Sequence, residues 1–143
     1  MGRLAITSSA CSAVVVVATL FFAAAASPSQ RRNVSADEAE GLVAAALPAE
    51  TRSLRGFELD LLPDERFPNF YIFLAAWAGP PNGSLVIGHY AVDKSTGDVW
   101  NATSECEELS TPALQSLQRK IRRRIGVSNS EYRQIKRKGP LCP

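Results

Sequence analysis

The sequence contains few of the residues on which most metal proteins and many enzymes depend. Its 143 residues include three cysteines and one histidine. Three cysteines are too few for a disulfide-dense mini-protein, and one distant histidine does not give them the ligand spacing of a zinc site. The chain has no glycine-rich phosphate loop and no Gly-x-Ser-x-Gly nucleophile motif. We therefore predict no metal, no cofactor and no catalytic residue.

The remaining composition is that of an ordinary globular chain. Hydrophobic residues make up 45% of the sequence, charged residues make up 21%, and the formal net charge is +2. These values exclude a collagen-like, low-complexity or fully disordered chain. The length suits one domain rather than two.

The first 26 residues have the pattern of a secretory signal peptide. Arg3 precedes an uncharged run over residues 4–26, and the run ends in small side chains. Ala24 and Ala26 supply the small residues that signal cleavage requires at alternating positions. We predict cleavage after about Ala26 and a secreted or periplasmic protein. The alternative is a retained anchor, because about 20 apolar residues can span a bilayer.

Cleavage there would remove Cys11 and leave Cys106 and Cys142. An even pair of cysteines in an exported chain predicts one disulfide, and two unpaired thiols are the alternative. Three Asn-x-Ser/Thr sequons, at Asn33, Asn82 and Asn101, would matter only if the source is a eukaryote. The sequence does not identify the source.

We interpret residues 27–35 as a flexible leader and residues 36–143 as a single domain. Ser35 is a suitable N-cap for a helix over 36–47, which begins with acidic residues and is followed by Pro48. Strands are predicted at 56–62, 70–77, 85–92 and 98–100. A turn at 93–97 joins the last two strands and places Gly97 in the left-handed region.

Two helices are predicted at the C-terminal end. The first is capped by Thr111 or Ser110, has Pro112 at its first position and ends at Gly126. The second starts at Ser128 or Ser130. The predicted fold class is α+β: an N-terminal helix, a four-stranded antiparallel sheet and C-terminal basic helices tied back by the disulfide.

Charge is strongly segregated along the chain. Residues 37–108 hold 13 acidic and 4 basic side chains, whereas residues 109–143 hold 9 basic and 1 acidic side chain. We predict a basic surface for an anionic partner. The alternative is a solvated helix face, offset in part by the chain's own acidic half. The predicted partner-binding residues are Arg119, Lys120, Arg122, Arg123, Arg124, Lys136, Arg137 and Lys138.

Other candidate residues have less support from their surroundings in the sequence. His89 lies in the middle of a predicted strand, where a packed or surface role is the usual one. The carboxylate pairs at 64–65 and 107–108 are expected to be solvated, so acid–base catalysis has no support. Trp77 and Trp100 could stack on a sugar, but core positions are more common for tryptophan.

The segment from Tyr90 to Trp100 resembles the hairpin of PepSY-like domains: an apolar strand, an aspartate, a Thr-Gly turn, an acidic residue and an apolar return. The acidic, alanine-rich helix over 36–47 resembles their opening helix. The basic tail from Cys106 onward departs from that pattern. The resemblance implies a small exported binding or inhibitory module without catalytic residues.

These observations predict a non-enzymatic exported binding protein with a protein partner, of inhibitor or immunity type. One alternative is a small envelope hydrolase that uses carboxylates. Another is a binder of anionic membranes or cell-wall polymers, and membrane contact is expected only at an anionic surface. Nucleic acid is not an expected partner, because the chain is exported and has no recognised nucleic-acid-binding motif.

Overall fold

The structure is a computed structural model that describes residues 33–79, 83–103 and 106–137. The helices are α1 (Ala36–Ala46), α2 (Ala49–Arg52), α3 (Pro112–Ile125) and α4 (Asn129–Arg137). The strands are β1 (Glu58–Leu62), β2 (Phe70–Ala76), β3 (Val86–Asp93), β4 (Val99–Asn101) and β5 (Glu107–Glu108). They form an antiparallel sheet in the order β1-β2-β3-β4-β5, so each strand pairs with its neighbours in the sequence.

Some of the sequence predictions concern residues outside these ranges. They are the signal peptide over 1–26, residues 27–32 of the leader, the sequon at Asn82, the cation Lys138 and the thiol of Cys142. Within the described ranges, no helix combines the length and the apolar character that crossing a membrane requires.

The first helix begins where the capping pattern predicts. Ser35 Oγ accepts a hydrogen bond from the Glu38 N–H at 3.2 Å, and the Glu38 carboxylate accepts one from the Ser35 N–H at 2.9 Å. This capping box satisfies N–H groups that the start of a helix otherwise leaves without partners. Pro48 follows the C-cap residue Leu47, and a proline there disfavours continuation of α1.

Helices α1 and α3 pack together over one face of the sheet. Because side chains alternate along a strand, β2, β3 and β4 direct alternate residues into this core, among them Phe73, Tyr90 and Val99. Phe73 from β2, Leu42 from α1 and Leu114 from α3 are the largest of the fully buried side chains there. The opposite face carries a smaller buried cluster of Ile72, Ala91 and Trp100, which are paired positions on β2, β3 and β4.

The turn between β3 and β4 is buried beneath the helices. Gly97 has a φ of 74°, which confirms the predicted left-handed residue. A Cβ at this position would lie 3.2 Å from Leu42 Cδ1, so the tight packing also favours glycine. Asp93 Oδ1 accepts hydrogen bonds from the N–H groups of Ser95 and Thr96 at 2.7 and 2.9 Å. These bonds fix the turn locally, as Asp at such a position commonly does.

The predicted fold class is wrong in two respects, although helices and an antiparallel sheet are both present. The sheet has five strands rather than four, since Glu107 and Glu108 of β5 pair with Asn101 and Trp100 of β4. Two glutamates have a poor propensity for strands, so only the pairing with β4 identifies β5. The disulfide is not part of the described fold, because Cys142 lies outside the described residues. In this structure, buried side chains and ion pairs attach the helical tail.

Candidate functional site in the C-terminal basic helices

Helix α3 presents an apolar face to the core and a basic face to solvent. Its N-cap residue Thr111 accepts a hydrogen bond from the Leu114 N–H at 3.1 Å and donates one to the Ala45 carbonyl oxygen at 3.0 Å. Gly126 ends the helix with a φ of 83°, as predicted for a left-handed C-cap. The buried residues of α3 are Leu114, Gln118, Ile121 and Ile125. The helical period therefore directs Arg119, Lys120 and Arg123 outward.

Three of the predicted partner-binding cations are engaged within the chain. Arg122 Nη1 lies 3.3 Å from Asp98 Oδ1. Arg124 forms an ion pair with Glu38 of α1, and Lys136 forms one with Glu108 of β5. Part of the basic tail is therefore offset by the chain's own acidic half.

Four more of the predicted cations point into solvent, and Lys138 lies outside the described residues. Arg119, Lys120, Arg123 and Arg137 are exposed and have no hydrogen bond or ion pair to the part of the chain that the structure describes. Arg133, which the sequence prediction omitted, is exposed on α4 in the same way. Its place one helical turn before Arg137 is the signal that could have identified it. We call these five residues the exposed basic face.

A buried carboxylate connects α4 to the sheet. Asp98 is fully buried, and its Oδ1 accepts a hydrogen bond from the Tyr132 hydroxyl at 2.8 Å. The Arg122 guanidinium carbon lies 4.0 Å from the centroid of the Tyr132 ring, and Lys136 Nζ lies 3.8 Å from Asp98 Oδ2. We call Asp98, Arg122, Tyr132 and Lys136 the Asp98 cluster. It joins the β3–β4 turn to both C-terminal helices.

The titration of this cluster is governed by burial. Burial raises the pKa of Asp98, and the Tyr132 hydrogen bond and the charge of Lys136 oppose that shift. Burial also raises the pKa of Tyr132, and the nearby charge of Asp98 raises it further. Because the Asp98 carboxylate has no contact with solvent, the cluster stabilises the packing of α4 and does not present a reactive group. Sequence reasoning missed it, although Tyr132 and Lys136 share one helical face.

Pockets flank α3 on both sides. A groove of about 410 Å³ lies between α1 and α3, with Gly41, Leu117 and Ile121 among its apolar lining. A polar pocket of about 320 Å³ lies where α3, α4 and β5 meet, and Arg119 and Arg122 are among the residues that line it. The exposed basic face thus adjoins two concave surfaces.

One acid of each carboxylate pair, Asp64 and Glu108, is held by a neighbouring cation. Asp64 accepts a hydrogen bond from Arg66 Nη2 at 2.7 Å, and the hydrogen bonds from Arg66 lower the pKa of Asp64. A general acid that works near neutral pH requires the opposite shift. Glu108 is paired with Lys136. Among the described residues, no group of three or more His, Cys, Asp or Glu side chains is placed to hold a metal ion.

His89 and the tryptophans also have neighbours within the chain. His89 lines a pocket of about 270 Å³ together with Asp64 and Arg66. Trp100 is buried, which confirms the prediction of a core position, and Lys136 Nζ lies 5.1 Å from its ring centroid. Trp77 is half-buried, and its Nε1 donates a hydrogen bond to the Ser84 carbonyl oxygen at 3.2 Å.

No protein-family model and no curated protein matches the chain. The resemblance to PepSY-like domains therefore stays a prediction. Among solved structures, the chain is similar to a chain of a type VI secretion system effector–immunity complex from Pseudomonas protegens. The TM-score is 0.60 at 27% sequence identity, over 82% of this chain and 98% of the other. The similarity therefore extends over nearly the whole of a chain found in an effector–immunity complex.

Proposed function

We propose that this chain is an immunity-type protein that binds and neutralises a protein effector outside the cytoplasm. The observation that carries the proposal is the similarity to a chain of an effector–immunity complex, which covers 98% of that chain. Such a complex contains an effector and an immunity protein, and one fold can host unrelated functions. The choice between the effector role and the immunity role therefore depends on the side chains of this protein.

The carboxylates support the immunity role over that of a hydrolytic effector. A hydrolase needs a reactive group that the substrate can reach. Asp93 accepts hydrogen bonds within the β3–β4 turn, and Asp98 is buried in its cluster. Asp64 and Glu108 are each held in an ion pair with a neighbouring cation. These four acids are therefore engaged in contacts within the chain itself.

The exposed basic face supports a partner with an acidic surface. Its five cations have no counter-ion among the described residues, so a partner can pair with them without breaking a contact to those residues. Complementary charge across an interface accelerates association and fixes orientation, and the effect weakens as salt screens it. We propose that this face meets an acidic surface of the effector.

The location outside the cytoplasm rests on the signal-peptide pattern of residues 1–26. Mass spectrometry of the protein recovered from the periplasm or the medium should find an N-terminus near residue 27. An intact residue 1 in that fraction would contradict the proposed cleavage.

The functional test pairs this chain with the product of the adjacent gene, produced in one bacterial host. We expect that product to slow growth when it is made without this chain, and we expect co-production to restore growth. The two purified proteins should form a complex. Persistent growth inhibition together with no complex would refute the immunity role.

Matched charge variants locate the contact surface. The double variant Arg119→Glu with Arg123→Glu should weaken the complex, because both side chains belong to the exposed basic face. The control is Arg52→Glu with Arg55→Glu, which makes the same charge change at two exposed positions outside that face. Equal effects of the two variants would place the contact elsewhere.

An anionic polymer is the competing partner for the same cations. Cell-wall polymer or anionic vesicles should bind less tightly than the effector and should lose binding steeply as salt rises. Tighter binding to the polymer than to any protein would favour the polymer-binding alternative.

A further inference from the structure

We infer that the pocket between α3, α4 and β5 is a socket for a single carboxylate side chain of the partner protein. This inference rests on the proposed function and names the chemistry of its central contact. The pocket has a volume of about 320 Å³, and its lining includes Arg119, Arg122, Asn129 and Glu108.

The lining contains hydrogen-bond donors that have no partner in the described chain. Arg122 uses Nη1 for its hydrogen bonds to the Thr96 carbonyl oxygen and Asp98 Oδ1, both at 3.3 Å. A guanidinium has five N–H donors, so those on Nε and Nη2 of Arg122 are left over. The side chains of Arg119 and Asn129 make no hydrogen bond to any described residue.

The charges around the pocket favour one additional anion. Arg119, Arg122 and Lys136 contribute three positive charges, whereas Asp98 and Glu108 contribute two negative charges when both are ionised. The group is therefore positive by one charge, which a single carboxylate would balance. A doubly charged phosphate would leave an excess of negative charge beside the Glu108 carboxylate.

One of the two arginines of the pocket, Arg122, is held in place before a ligand arrives. Arg122 is fixed by its stacking on Tyr132 and by its hydrogen bonds, and its side chain is only 12% exposed. Asn129 is the first residue of the nine-residue helix α4, and the helix dipole favours an anion near that end. Binding would immobilise few additional side chains, which lowers the entropy cost of the contact.

The direct test is an NMR titration of the full chain with N-acetylglutamate. We expect saturable shifts of the side-chain N–H signals of Arg119, Arg122 and Asn129. Sodium chloride at equal ionic strength should not reproduce them. Inorganic phosphate is the third arm, and stronger binding of phosphate than of N-acetylglutamate would overturn the carboxylate assignment. The absence of saturable shifts at millimolar N-acetylglutamate would overturn the socket itself.

The variant Arg119→Gln should weaken probe binding by roughly tenfold to a hundredfold, the range for loss of a hydrogen bond to a charged group. Arg123→Gln is the control, because it removes the same charge from the same helix but does not line the pocket. Equal weakening by both variants would show general charge attraction instead of a socket.

The probe experiment needs no partner protein, so it separates this inference from the proposed function. Probe binding without any effector complex would refute the immunity role and leave a carboxylate site. An effector complex that Arg119→Gln does not weaken, combined with no probe binding, would overturn the socket and leave the immunity role standing.

Discussion

At the scale of single residues, Asp98 connects the β3–β4 turn to both C-terminal helices. One buried carboxylate receives the Tyr132 hydroxyl, lies 3.3 Å from Arg122 Nη1 and has Lys136 Nζ at 3.8 Å. Burial of a charge is costly unless partners compensate for the lost water. These three contacts offset only part of that cost, because Asp98 Oδ2 has no hydrogen-bond partner among the described residues and burial still raises the pKa of Asp98. They attach α4 to the turn that precedes β4.

Removal of the Tyr132 hydroxyl tests this role. Tyr132→Phe should lower the free energy of unfolding by about 1–3 kcal/mol, because the buried carboxylate loses a short hydrogen bond. Tyr71→Phe is the control, since its hydroxyl donates to an uncharged acceptor, the Val34 carbonyl oxygen, at 3.2 Å. Urea denaturation should give a smaller loss for Tyr71→Phe. An equal or smaller loss for Tyr132→Phe would contradict the importance of Asp98.

Two glycines should respond to alanine in opposite directions. Gly97→Ala should destabilise the protein by about 1–3 kcal/mol, because φ is 74° and the new Cβ would lie 3.2 Å from Leu42 Cδ1. Gly41 lies within α1, and a Cβ there would meet no atom within 4 Å. Gly41→Ala should therefore stabilise the helix by about 0.5–1 kcal/mol. Thermal denaturation of both variants checks the direction of each change in stability. If both variants are less stable than the parent, or both are more stable, the expected opposite effects are contradicted.

At the scale of elements, the start of α3 fastens the helical layer together. Thr111 caps α3 and also donates to the Ala45 carbonyl oxygen near the end of α1. The Thr111 hydroxyl therefore caps the first turn of α3 and donates a hydrogen bond to a backbone carbonyl oxygen of α1. The two helices that cover the sheet are positioned against each other by this contact as well as by their apolar side chains.

The Thr111 hydroxyl has a measurable contribution. Thr111→Ala should reduce stability by about 1–2 kcal/mol, since it removes the cap and the contact between the helices. Thr111→Ser keeps the hydroxyl and should recover most of the loss. Ser116→Ala, at an exposed position inside α3, is the control and should have little effect. A loss for Thr111→Ser as large as that for Thr111→Ala would show that the methyl group, and not the hydroxyl, matters.

At the scale of the whole molecule, the acidic and basic halves of the chain are folded onto each other. Glu38 pairs with Arg124, Glu108 pairs with Lys136, and Asp98 pairs with Arg122. Charges separated by as many as 86 positions along the chain become neighbours. The cations left over form the exposed basic face.

Two of these paired acids, Glu38 and Asp98, should give opposite dependences of stability on pH. Burial would raise the pKa of Glu38, but the hydrogen bonds from Ser35 and Arg124 prevail and lower it from 4.5. Its stabilising contribution is present above the unfolded pKa and is lost as pH falls through the folded pKa. Asp98 has a raised pKa, mainly through burial, so its ionisation lowers stability as pH rises above 3.8.

The amide variants Glu38→Gln and Asp98→Asn test the signs of these two pH dependences. Urea denaturation between acid and neutral pH gives the free energy of unfolding of each variant relative to the parent. The stability of Glu38→Gln relative to the parent should fall as pH rises from acid to neutral. For Asp98→Asn, the relative stability should rise over the same range. Asp98 is also faced by Glu108, Arg122, Tyr132 and Lys136, so these side chains are kept unchanged in both variants. Parallel slopes for the two variants would contradict the opposite pKa shifts.

The elements whose ends depend on local chemistry were predictable from the sequence. Ser35, Thr111 and Gly126 form helix caps through contacts with residues a few positions away, and Gly97 adopts the left-handed turn. Such signals need no tertiary partner, because the atoms they bring together are close along the chain. Strand β5 was not predictable, because two glutamates become a strand only when β4 lies beside them.

The order of residues along the chain is enough to establish the segregation of charge and the basic character of the C-terminal helices. Which cations remain available depends on the fold: Arg122, Arg124 and Lys136 meet internal carboxylates, whereas Arg119, Lys120 and Arg123 face solvent. Net charge follows from composition alone, whereas an ion pair requires two groups within about 4 Å of each other. In this protein, folding sets that distance for residues far apart in the sequence.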